Sequence, residues 1–274
     1  MQKIFGNIIK RLLDIFAFFI KKSKDLQWYL FTHALKKETD NFIENEYFRA
    51  FEHINKTITL GKKLAPKVNN AVIVDVGGLI GKTAVMYSKA FPHLDIFLYE
   101  PIQQNFNEIQ KNTAAFKNIK AFKKALGNSS GKSTINIAGR VSSSSLLELN
   151  NTTSPEIFSG FMEQKSTEEI EINTLDAEIP QDKNILILKL DVQGFELEVL
   201  KGGMLSLNRT ACIVLETGTH NAYVGSPQYH DIDEFLRHHD FVIYDILPST
   251  KNKGQLVEWD SIYIHKRYLW LLVW

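Results

Sequence analysis

Two carboxylates and a glycine turn stand in an order that could hold a nucleoside joined to an amino acid. Asp75 directly precedes the turn at residues 77–81, and Glu100 ends the next apolar run of the chain. A carboxylate in the place of Glu100 can accept hydrogen bonds from both hydroxyls of a ribose. Glycines let the main chain approach a ligand closely, and the helix that opens at Gly81 can offer amide groups to a carboxylate. Each feature alone is ordinary in an α/β protein, but together they predict a binding site.

Three further side chains could take a proton from an acceptor molecule. Asp191 follows an apolar run, Glu216 ends the next one, and His220 comes shortly after it. An alkyl hydroxyl is a poor nucleophile while it keeps its proton, so a neighbouring base would assist its reaction. Structural interpretations stay open, because Asp191 can cap a helix beginning near Phe195, Glu216 can join a salt bridge, and a histidine can be solvated. The three residue types could also hold a divalent metal, but their spacing gives that site little support.

The glycine turn disfavours two other kinds of nucleotide site. The dinucleotide fingerprint G-x-G-x-x-G would require glycine where Leu79 and Lys82 stand. A P-loop would require glycine at position 76, which is valine. A nicotinamide oxidoreductase and a nucleotide hydrolase are therefore disfavoured.

These residues follow the strands of a predicted α/β fold. From residue 71 to 123 the pattern is strand, helix, strand, helix, strand, and a Ser, Asn, Thr and Gly-rich stretch up to residue 166 predicts a lid or insertion. Later strands are predicted at 169–175, 184–190, 211–216, 241–246 and 261–265. Such alternation predicts parallel strands with right-handed crossovers and a ligand beyond their carboxyl ends.

Two segments between these elements could face an acceptor. Residues 142–145 are four serines, which form either a solvated run or a hydroxyl-rich lid, and their low complexity favours the solvated run. Tyr223 and Tyr229 could form an aromatic wall for a sugar.

Composition and the chain ends limit the partners. Lys and Arg number 32 against 31 Asp and Glu, which predicts no nucleic-acid partner, and the single Cys212 favours a reducing, cytoplasmic compartment. Residues 1–24 predict a basic amphipathic helix, whose longest apolar stretch, residues 12–20, contains Asp14 and is too short to span a bilayer. It either packs on the protein or on a second copy of the chain, which is favoured, or lies on the inner membrane face. The apolar tail 268–274 is expected to pack against something, and a homo-oligomer is left open.

Several motifs closely resemble the FkbM family of S-adenosylmethionine-dependent methyltransferases. They are VDVGGLIG at 74–81, YEP at 99–101, ALG at 125–127, NTLD at 173–176 and LKLDVQGFELEVLKG at 188–202. The first two occur in Rossmann-like methyltransferases generally, and the last is specific to the family, although the turn lacks the family's usual Ala and Asn. The resemblance implies an α/β, Rossmann-like class I methyltransferase fold with a seven-stranded, mostly parallel sheet, helices on both faces and a reversed final strand pair. The expected domains are a helical extension at 1–65, a methyltransferase domain at 66–267 and the tail.

The resemblance also implies a reaction and the residues that serve it. A methyl group would pass from S-adenosylmethionine to a hydroxyl of a sugar, a glycolipid or polysaccharide precursor, or another secondary metabolite. The implied cofactor-binding residues are Asp75, Gly77, Gly78 and Gly81 at the methionine end, Glu100 and Pro101 at the ribose, Lys124, Ala125 and Leu126 at the adenine, and Asp191 and Gly194 towards the acceptor. Asp191 is the first choice as acceptor-side acid, ahead of Glu216 and His220. A noncatalytic binding or scaffolding protein of the same fold, docked through its amino-terminal helix, stays open as the alternative.

Overall fold

The computed structural model describes residues 42–150, 164–252 and 254–272. The chain divides into two compact units, 1–52 and 53–274, and the boundary falls within helix α1 (Phe42–Leu64). The second half of α1 contributes Ile58, Leu60 and Leu64 to the core of the second unit. Residues 53–65, which the sequence analysis assigned to an extension, therefore belong to the main domain, because their apolar side chains are buried in its core.

The described residues contain ten strands, which form two sheets. In chain order they are β1 (Ala71–Val76), β2 (Asp95–Tyr99), β3 (Ile119–Phe122), β4 (Ala125–Gly127), β5 (Gly131–Ala138), β6 (Gln164–Thr174), β7 (Asn184–Leu190), β8 (Thr210–Gly218), β9 (Phe241–Asn252) and β10 (Gln255–His265). The main sheet has seven strands in the order β3-β2-β1-β7-β8-β10-β9. Its first five strands are parallel, and β10 is antiparallel to both β8 and β9, so the predicted mostly parallel, seven-stranded sheet is confirmed, but only one strand is reversed instead of the predicted final pair.

Helices cover both faces of the main sheet, as predicted. After α1 they are α2 (Lys82–Ala90), α3 (Gln103–Thr113), α4 (Leu175–Glu178), α5 (Glu196–Lys201), α6 (Met204–Leu207) and α7 (Tyr229–His238). Apolar side chains of α1, α2 and α3 fill the core on one face, and those of α4 to α7 fill the core on the other. The helix predicted to begin near Phe195 is broken into α5 and α6. A side chain at Gly202 would lie 1.9 Å from the carbonyl oxygen of Gly127, so a glycine pair interrupts the helix there.

A second, smaller sheet of strands β4-β6-β5 includes β5 from the segment predicted as a lid or insertion, with β4 before this segment and most of β6 after it. Its core includes Ile102, Ala125, Ile135 and Ile170. The chain after β5 folds back, so that the amides and carbonyls of Asn136 and Ser145 pair. Within this segment Ser144 and Ser145 are only 9% and 2% exposed. The favoured expectation of a solvated serine run is therefore wrong.

The structure describes the carboxyl-terminal segment as far as residue 272 but not the first 41 residues. The amphipathic segment 1–24 lies outside the described residues, so its predicted packing or membrane contact stays a prediction. At the other end, Tyr268, Leu269, Leu271 and Leu272 pack against the core that α1 also covers. In the part of the chain that the structure describes, no helix is long and apolar enough to cross a bilayer.

Candidate active site

A cavity opens at the carboxyl ends of β1 and β7, where the strand order of the main sheet reverses. Such a reversal is where open α/β sheets bind ligands. The cavity measures about 640 Å³ when the solvent at its mouth is included, a size suited to a small molecule. Its walls come from the turn after β1, the end of β2, strand β4, the serine segment 141–146 and the loop after β7.

The turn after β1 presses against the loop after β7. The amides of Gly77 and Gly78 both donate to the carbonyl oxygen of Tyr99, at 3.0 and 3.1 Å. Gly77 has φ +78°, and a Cβ placed on it would lie 1.9 Å from the carbonyl oxygen of Asp191. Glycine is thus required both for the backbone conformation and for the close approach. Gly77 and Leu79 line the cavity, and Leu79 was not predicted to do so.

Substitution of Gly77 with alanine is expected to destabilise the fold by several kcal/mol. Gly225 is a matched control, because it has φ +75° but no atom within 4 Å of the added Cβ. Gly225→Ala should cost only the left-handed backbone strain of about 1–2 kcal/mol. Denaturant unfolding of the two variants measures the difference. Equal losses would show that backbone conformation alone, and not contact with Asp191, makes Gly77 necessary.

The other predicted residues around this turn lie behind the cavity wall. A side chain on Gly78 would meet Leu98, and one on Gly81 would meet Thr113, so neither glycine lines the cavity. Asp75 is fully buried, and neither of its carboxylate oxygens makes a hydrogen bond. Its Oδ1 lies 3.7 Å from Nζ of Lys189, and burial raises the pKa of its carboxyl above the ordinary value. These three residues support the turn instead of lining the cavity.

Glu100 is held rigidly at the cavity wall. It is 4% exposed, its Oε2 accepts from the amide of Leu79 at 2.9 Å, and its Oε1 accepts from the amide of Ile102 and Nδ2 of Asn105, both at 3.1 Å. Burial raises the pKa of Glu100 to about 7 despite these bonds. A pair of donors from a ligand would stabilise its charged form. This carboxylate therefore fits the ribose diol that the sequence assigned to it.

Lys124, Ala125 and Leu126 line the cavity together with Pro101. The ammonium of Lys124 is bound by Glu178 at 2.9 Å and by Glu171 at 3.1 Å. Because these acids hold it, Lys124 contributes to the wall without offering a free charge. The neighbouring lining is apolar, with Ile102, Ile135, Val141 and Leu146. Such a surface suits a flat heteroaromatic ring such as adenine.

Gln193, which was not predicted as a site residue, links Asp191 to Glu216. Nε2 of Gln193 donates to Oδ1 of Asp191 at 3.1 Å and to Oε2 of Glu216 at 2.9 Å. Asp191 and Gln193 line the cavity, whereas Glu216 stands outside its lining. The other carboxylate oxygen of Asp191 lies 3.2 Å from Nζ of Lys189. The cap residue of α5 is Phe195 and no side chain caps the helix, so the capping interpretation of Asp191 is wrong.

His220 and Gly194 are placed away from the cavity lining. Strand β8 continues to Gly218, two residues beyond its predicted end, because Thr217 and Gly218 pair with β10. His220 follows this extension, and its Nδ1 lies 2.8 Å from Oγ1 of Thr219. Gly194 has φ +92°, and a Cβ there would lie 2.9 Å from Cβ of Ser226. Its lack of a side chain thus lets the loop after β7 contact the loop after β8.

The structure gives no support to a metal held by Asp191, Glu216 and His220. Among the described residues, no three His, Cys, Asp or Glu side chains are grouped so that they could hold a metal ion. Of the two tyrosines proposed as an acceptor wall, Tyr223 contacts Gln193, with its hydroxyl 3.0 Å from Oε1. The ring of Tyr229 instead packs against Trp259 at 5.4 Å between centroids.

A histidine of α1 is also close to this edge of the sheet and was not predicted. Nδ1 of His53 lies 2.6 Å from Oδ2 of Asp260, the residue that pairs with Glu216 across β8 and β10. The two partners are 207 positions apart in the chain, so no local sequence pattern could reveal the pair. For Gln193, in contrast, the signal was its place within the motif at 188–202.

A second buried acid at this edge gives the protein a pH-dependent stability. Glu196 is 3% exposed, and its Oε1 accepts from the amides of Val192 at 3.1 Å and Gly194 at 3.3 Å. Burial raises the pKa of Glu196 from 4.5 to about 7. Between these values the unfolded chain has released a proton that the folded protein retains. Raising the pH from about 4.5 to 7 therefore favours unfolding through this group.

Replacement of Glu196 with glutamine is expected to stabilise the protein above pH 7. The amide oxygen can accept both backbone bonds, and the cost of burying a charge disappears. The gain should approach about 3 kcal/mol at pH 8 and vanish near pH 4.5, at one pKa unit per 1.4 kcal/mol. Denaturant unfolding of both proteins across this range measures it. A gain that does not change with pH would contradict the assignment.

One family model and one named relative match the sequence of this chain. The family model described as the Methyltransferase FkbM domain matches residues 75–243. A relative named Methyltransferase 1, from Beauveria bassiana (strain ARSEF 2860), is 25% identical over 165 residues, or 55% of this chain and 66% of that protein. The match thus spans just under two thirds of that relative's length.

Similar solved structures include two methyltransferases. Magnesium protoporphyrin IX methyltransferase from Synechocystis PCC 6803, with bound S-adenosylmethionine, is 9% identical, with a TM-score of 0.47 over 83% of this chain and 85% of that one. Precorrin-6y C5,15-methyltransferase from Geobacter metallireducens GS-15 is 15% identical, with a TM-score of 0.42 over 78% and 87%. The family model matches more than half of the residues of this chain, so the chain belongs to the FkbM family of methyltransferases.

Proposed function

We propose that the protein transfers the methyl group of S-adenosylmethionine to a hydroxyl oxygen of a small acceptor held beside Asp191. Methyl transfer itself follows from the family, and the acceptor class is the proposal. The observation that carries it is that Asp191 lines the cavity at the β1 and β7 strand ends while Gln193 joins it to a second carboxylate, Glu216. Such acids can orient a hydroxyl and take its proton. We extend the acceptor class to sugars, glycolipid or polysaccharide precursors and other hydroxylated metabolites.

The lining of the cavity supports S-adenosylmethionine as its ligand. The buried carboxylate of Glu100 would hold the ribose, the apolar wall with Ala125 and Leu126 would face the adenine, and the turn at Gly77 would adjoin the amino-acid part. When bound, this cofactor supplies an electrophilic methyl group on a positively charged sulfur. Its charge fits a site in which Asp191 lines the wall.

The residues of this chain then have separate tasks. Glu100 accepts the ribose hydroxyls and fixes the cofactor along the cavity. Asp191 orients the acceptor hydroxyl and receives its proton on a carboxylate oxygen, so the oxygen can attack in line. The serine segment covers the cavity, and Oγ of Ser145 donates to the carbonyl oxygen of Gln193 at 2.7 Å, which helps to exclude water.

The experiment that tests this proposal follows a labelled methyl group from S-adenosylmethionine into pools of saccharides, amines and carboxylic acids. We expect the label in a methyl ether, which resists alkaline hydrolysis, and none in amines or base-labile esters. Label in an amine or an ester would overturn the hydroxyl assignment. Binding of neither S-adenosylmethionine nor its demethylated product would favour the noncatalytic alternative.

Location and assembly remain proposals from the sequence. We propose a cytoplasmic protein, with peripheral contact to the inner membrane face through residues 1–24, or pairing of that segment with a second copy of the chain. The near balance of charge, +1 overall, gives no reason to expect a nucleic-acid partner.

A further inference from the structure

Gln193 contacts both the serine segment and the two acids on the acceptor side of the cavity, and it makes more such contacts than either acid. Its two side-chain N–H groups bond Asp191 and Glu216, its Oε1 lies 3.0 Å from the hydroxyl of Tyr223, and its carbonyl oxygen accepts from Ser145. These partners belong to the loop after β7, to β8, to the loop after β8 and to the serine segment. One residue thus joins the cover of the cofactor cavity to the acceptor-side acids.

The backbone of Gln193 supports the same conclusion. Its φ is +53°, a left-handed conformation that costs a residue with a side chain about 1–2 kcal/mol. Such conformations persist where surrounding contacts hold them, and they cluster at functional sites. Here the conformation turns the amide towards both carboxylates while Gly194 continues the turn at φ +92°.

The charges around Gln193 explain why a neutral donor stands there. Glu216 has its pKa raised well above the ordinary value, first by burial and then by neighbouring acids. The charged groups that face this pair are Glu258 and Asp260 from β10, Glu196 from the start of α5, Lys189 beside Asp191, Asp75 beside Lys189, and His53 beside Asp260. An amide can donate to two adjacent carboxylates without adding a further negative charge. A carboxylate at the same place would repel both.

We infer that Gln193 is a positioning residue that fixes Asp191 relative to Glu216 and ties that pair to the serine segment, so that Asp191 is held in place to align the acceptor hydroxyl. This inference rests on the proposed function, because it assigns Asp191 to the acceptor. Gln193 itself need not touch the acceptor. Its side-chain length is the essential property, since only a long amide reaches both acids.

Three variants separate this role from a structural one. Gln193→Asn tolerates the left-handed backbone but is too short to reach both acids, and Gln193→Glu keeps the length but removes the donors. Asp240→Asn is the control, because Asp240 is exposed, pairs with Lys266 and lies outside the cavity lining. Misplacement of a reacting group by about 1 Å can cost 10²-fold in rate, so we expect kcat to fall by about that factor in the first two variants. We expect a change below about threefold in Asp240→Asn.

The Michaelis constant and the pH profile give the deciding results. We expect KM for S-adenosylmethionine to change by less than about threefold in Gln193→Asn. In Gln193→Glu we expect the acidic limb of the kcat profile to move to higher pH by about one unit, so that kcat at a fixed acidic pH falls about tenfold. Full activity of Gln193→Asn would overturn the inference, since a backbone role alone would then suffice. A loss confined to KM would also overturn it.

A titration without acceptor distinguishes failure of this inference from failure of the proposed function. The carboxyl carbon of Glu216, labelled with ¹³C, can be followed by NMR in the cofactor-free protein. The inference requires the pKa of Glu216 to be higher in Gln193→Glu than in the wild type, whatever the acceptor proves to be. An unchanged titration of Glu216 would overturn the inference even if a hydroxyl acceptor is methylated.

Discussion

Replacement of Glu100 with glutamine is expected to weaken binding of S-adenosylmethionine by about 10²–10³-fold. A carboxylate can accept both ribose hydroxyls while it also binds the amides of Leu79 and Ile102. Nδ2 of Asn105 is a third donor to Glu100, so glutamine, with one acceptor oxygen in place of two, cannot serve all five donors. Loss of one or two hydrogen bonds to a charged group, at about 1.5–3 kcal/mol each, accounts for the factor. Isothermal titration with S-adenosylmethionine at pH 8 measures it.

Glu108 supplies the matched control for this variant. It lies on α3, carries a partly exposed carboxylate bound to Lys111 at 2.7 Å, and stands outside the cavity lining. Glu108→Gln should leave the dissociation constant unchanged. If Glu100→Gln also changed the dissociation constant by less than about threefold, Glu100 would not bind the ribose, and the proposed orientation of the cofactor would be wrong.

The pH dependence of cofactor binding should follow the same carboxyl. Burial raises the pKa of Glu100 to about 7, and the ionised form is the one that accepts both hydroxyls. Affinity for S-adenosylmethionine should therefore rise between pH 6 and 8, with a proton released on binding. Glu100→Gln should lose this rise.

The sequence predicts the cofactor-binding residues better than the acceptor-side residues, because the signals for the cofactor-binding residues are local in the chain. Strands β1 and β7 are continuous apolar runs, and the turn and the acid that follow strands appear as short motifs. Glu100 lines the cavity because it directly follows β2, and its role at the ribose stays a prediction. Gly78 and Gly81 share the motif but serve packing against Leu98 and α3, a distinction that only the tertiary contacts make.

The second sheet is predicted only in part: the sequence predicts a strand at 169–175, most of which lies within β6, but nothing local indicates its pairing with β4 and β5. Strand β6 buries Ile170 but is otherwise mostly exposed and rich in Glu, Ser and Thr. The serine segment is buried through long-range bonds, among them that of Ser145 to the carbonyl oxygen of Gln193, 48 positions away. Composition predicts solvation for such a run, whereas the contacts that bury it are set by the loop after β7.

His220 shows how an unpredicted register changes a functional hypothesis. With β8 ending at Glu216, the histidine would stand near the ligand edge. Pairing of Thr217 with Trp259 and of Gly218 with Glu258 extends β8 and places His220 beyond the cavity lining. Asp191 keeps its predicted place because it follows β7 directly, and its amide donates to the carbonyl oxygen of Val76 at 3.0 Å.

Replacement of Asp191 with asparagine is expected to lower kcat by about 10³-fold, within the range that a general base contributes. Asparagine keeps the shape of the side chain and an oxygen that can accept from Gln193, but it cannot take the acceptor proton. Lys189 retains Asp75 as an ion-pair partner at 3.7 Å, so the variant should fold. Single-turnover methyl transfer measures the rate, and titration with S-adenosylmethionine should show a dissociation constant within about threefold of the wild type.

Glu216→Gln provides the comparison that assigns the base. Glu216 lies outside the cavity lining and contacts Asp191 only through Gln193, so its loss should cost about tenfold, well below the loss for Asp191. Asp240, exposed and paired with Lys266 at 3.0 Å, gives a neutral control as Asp240→Asn.

If Glu216→Gln lowered kcat more than Asp191→Asn, the proton would pass to Glu216 and Asp191 would only orient the hydroxyl. If neither variant were impaired, alignment of the acceptor would suffice for transfer, because departure of the methyl group already discharges the sulfur and a proton could leave to water afterwards.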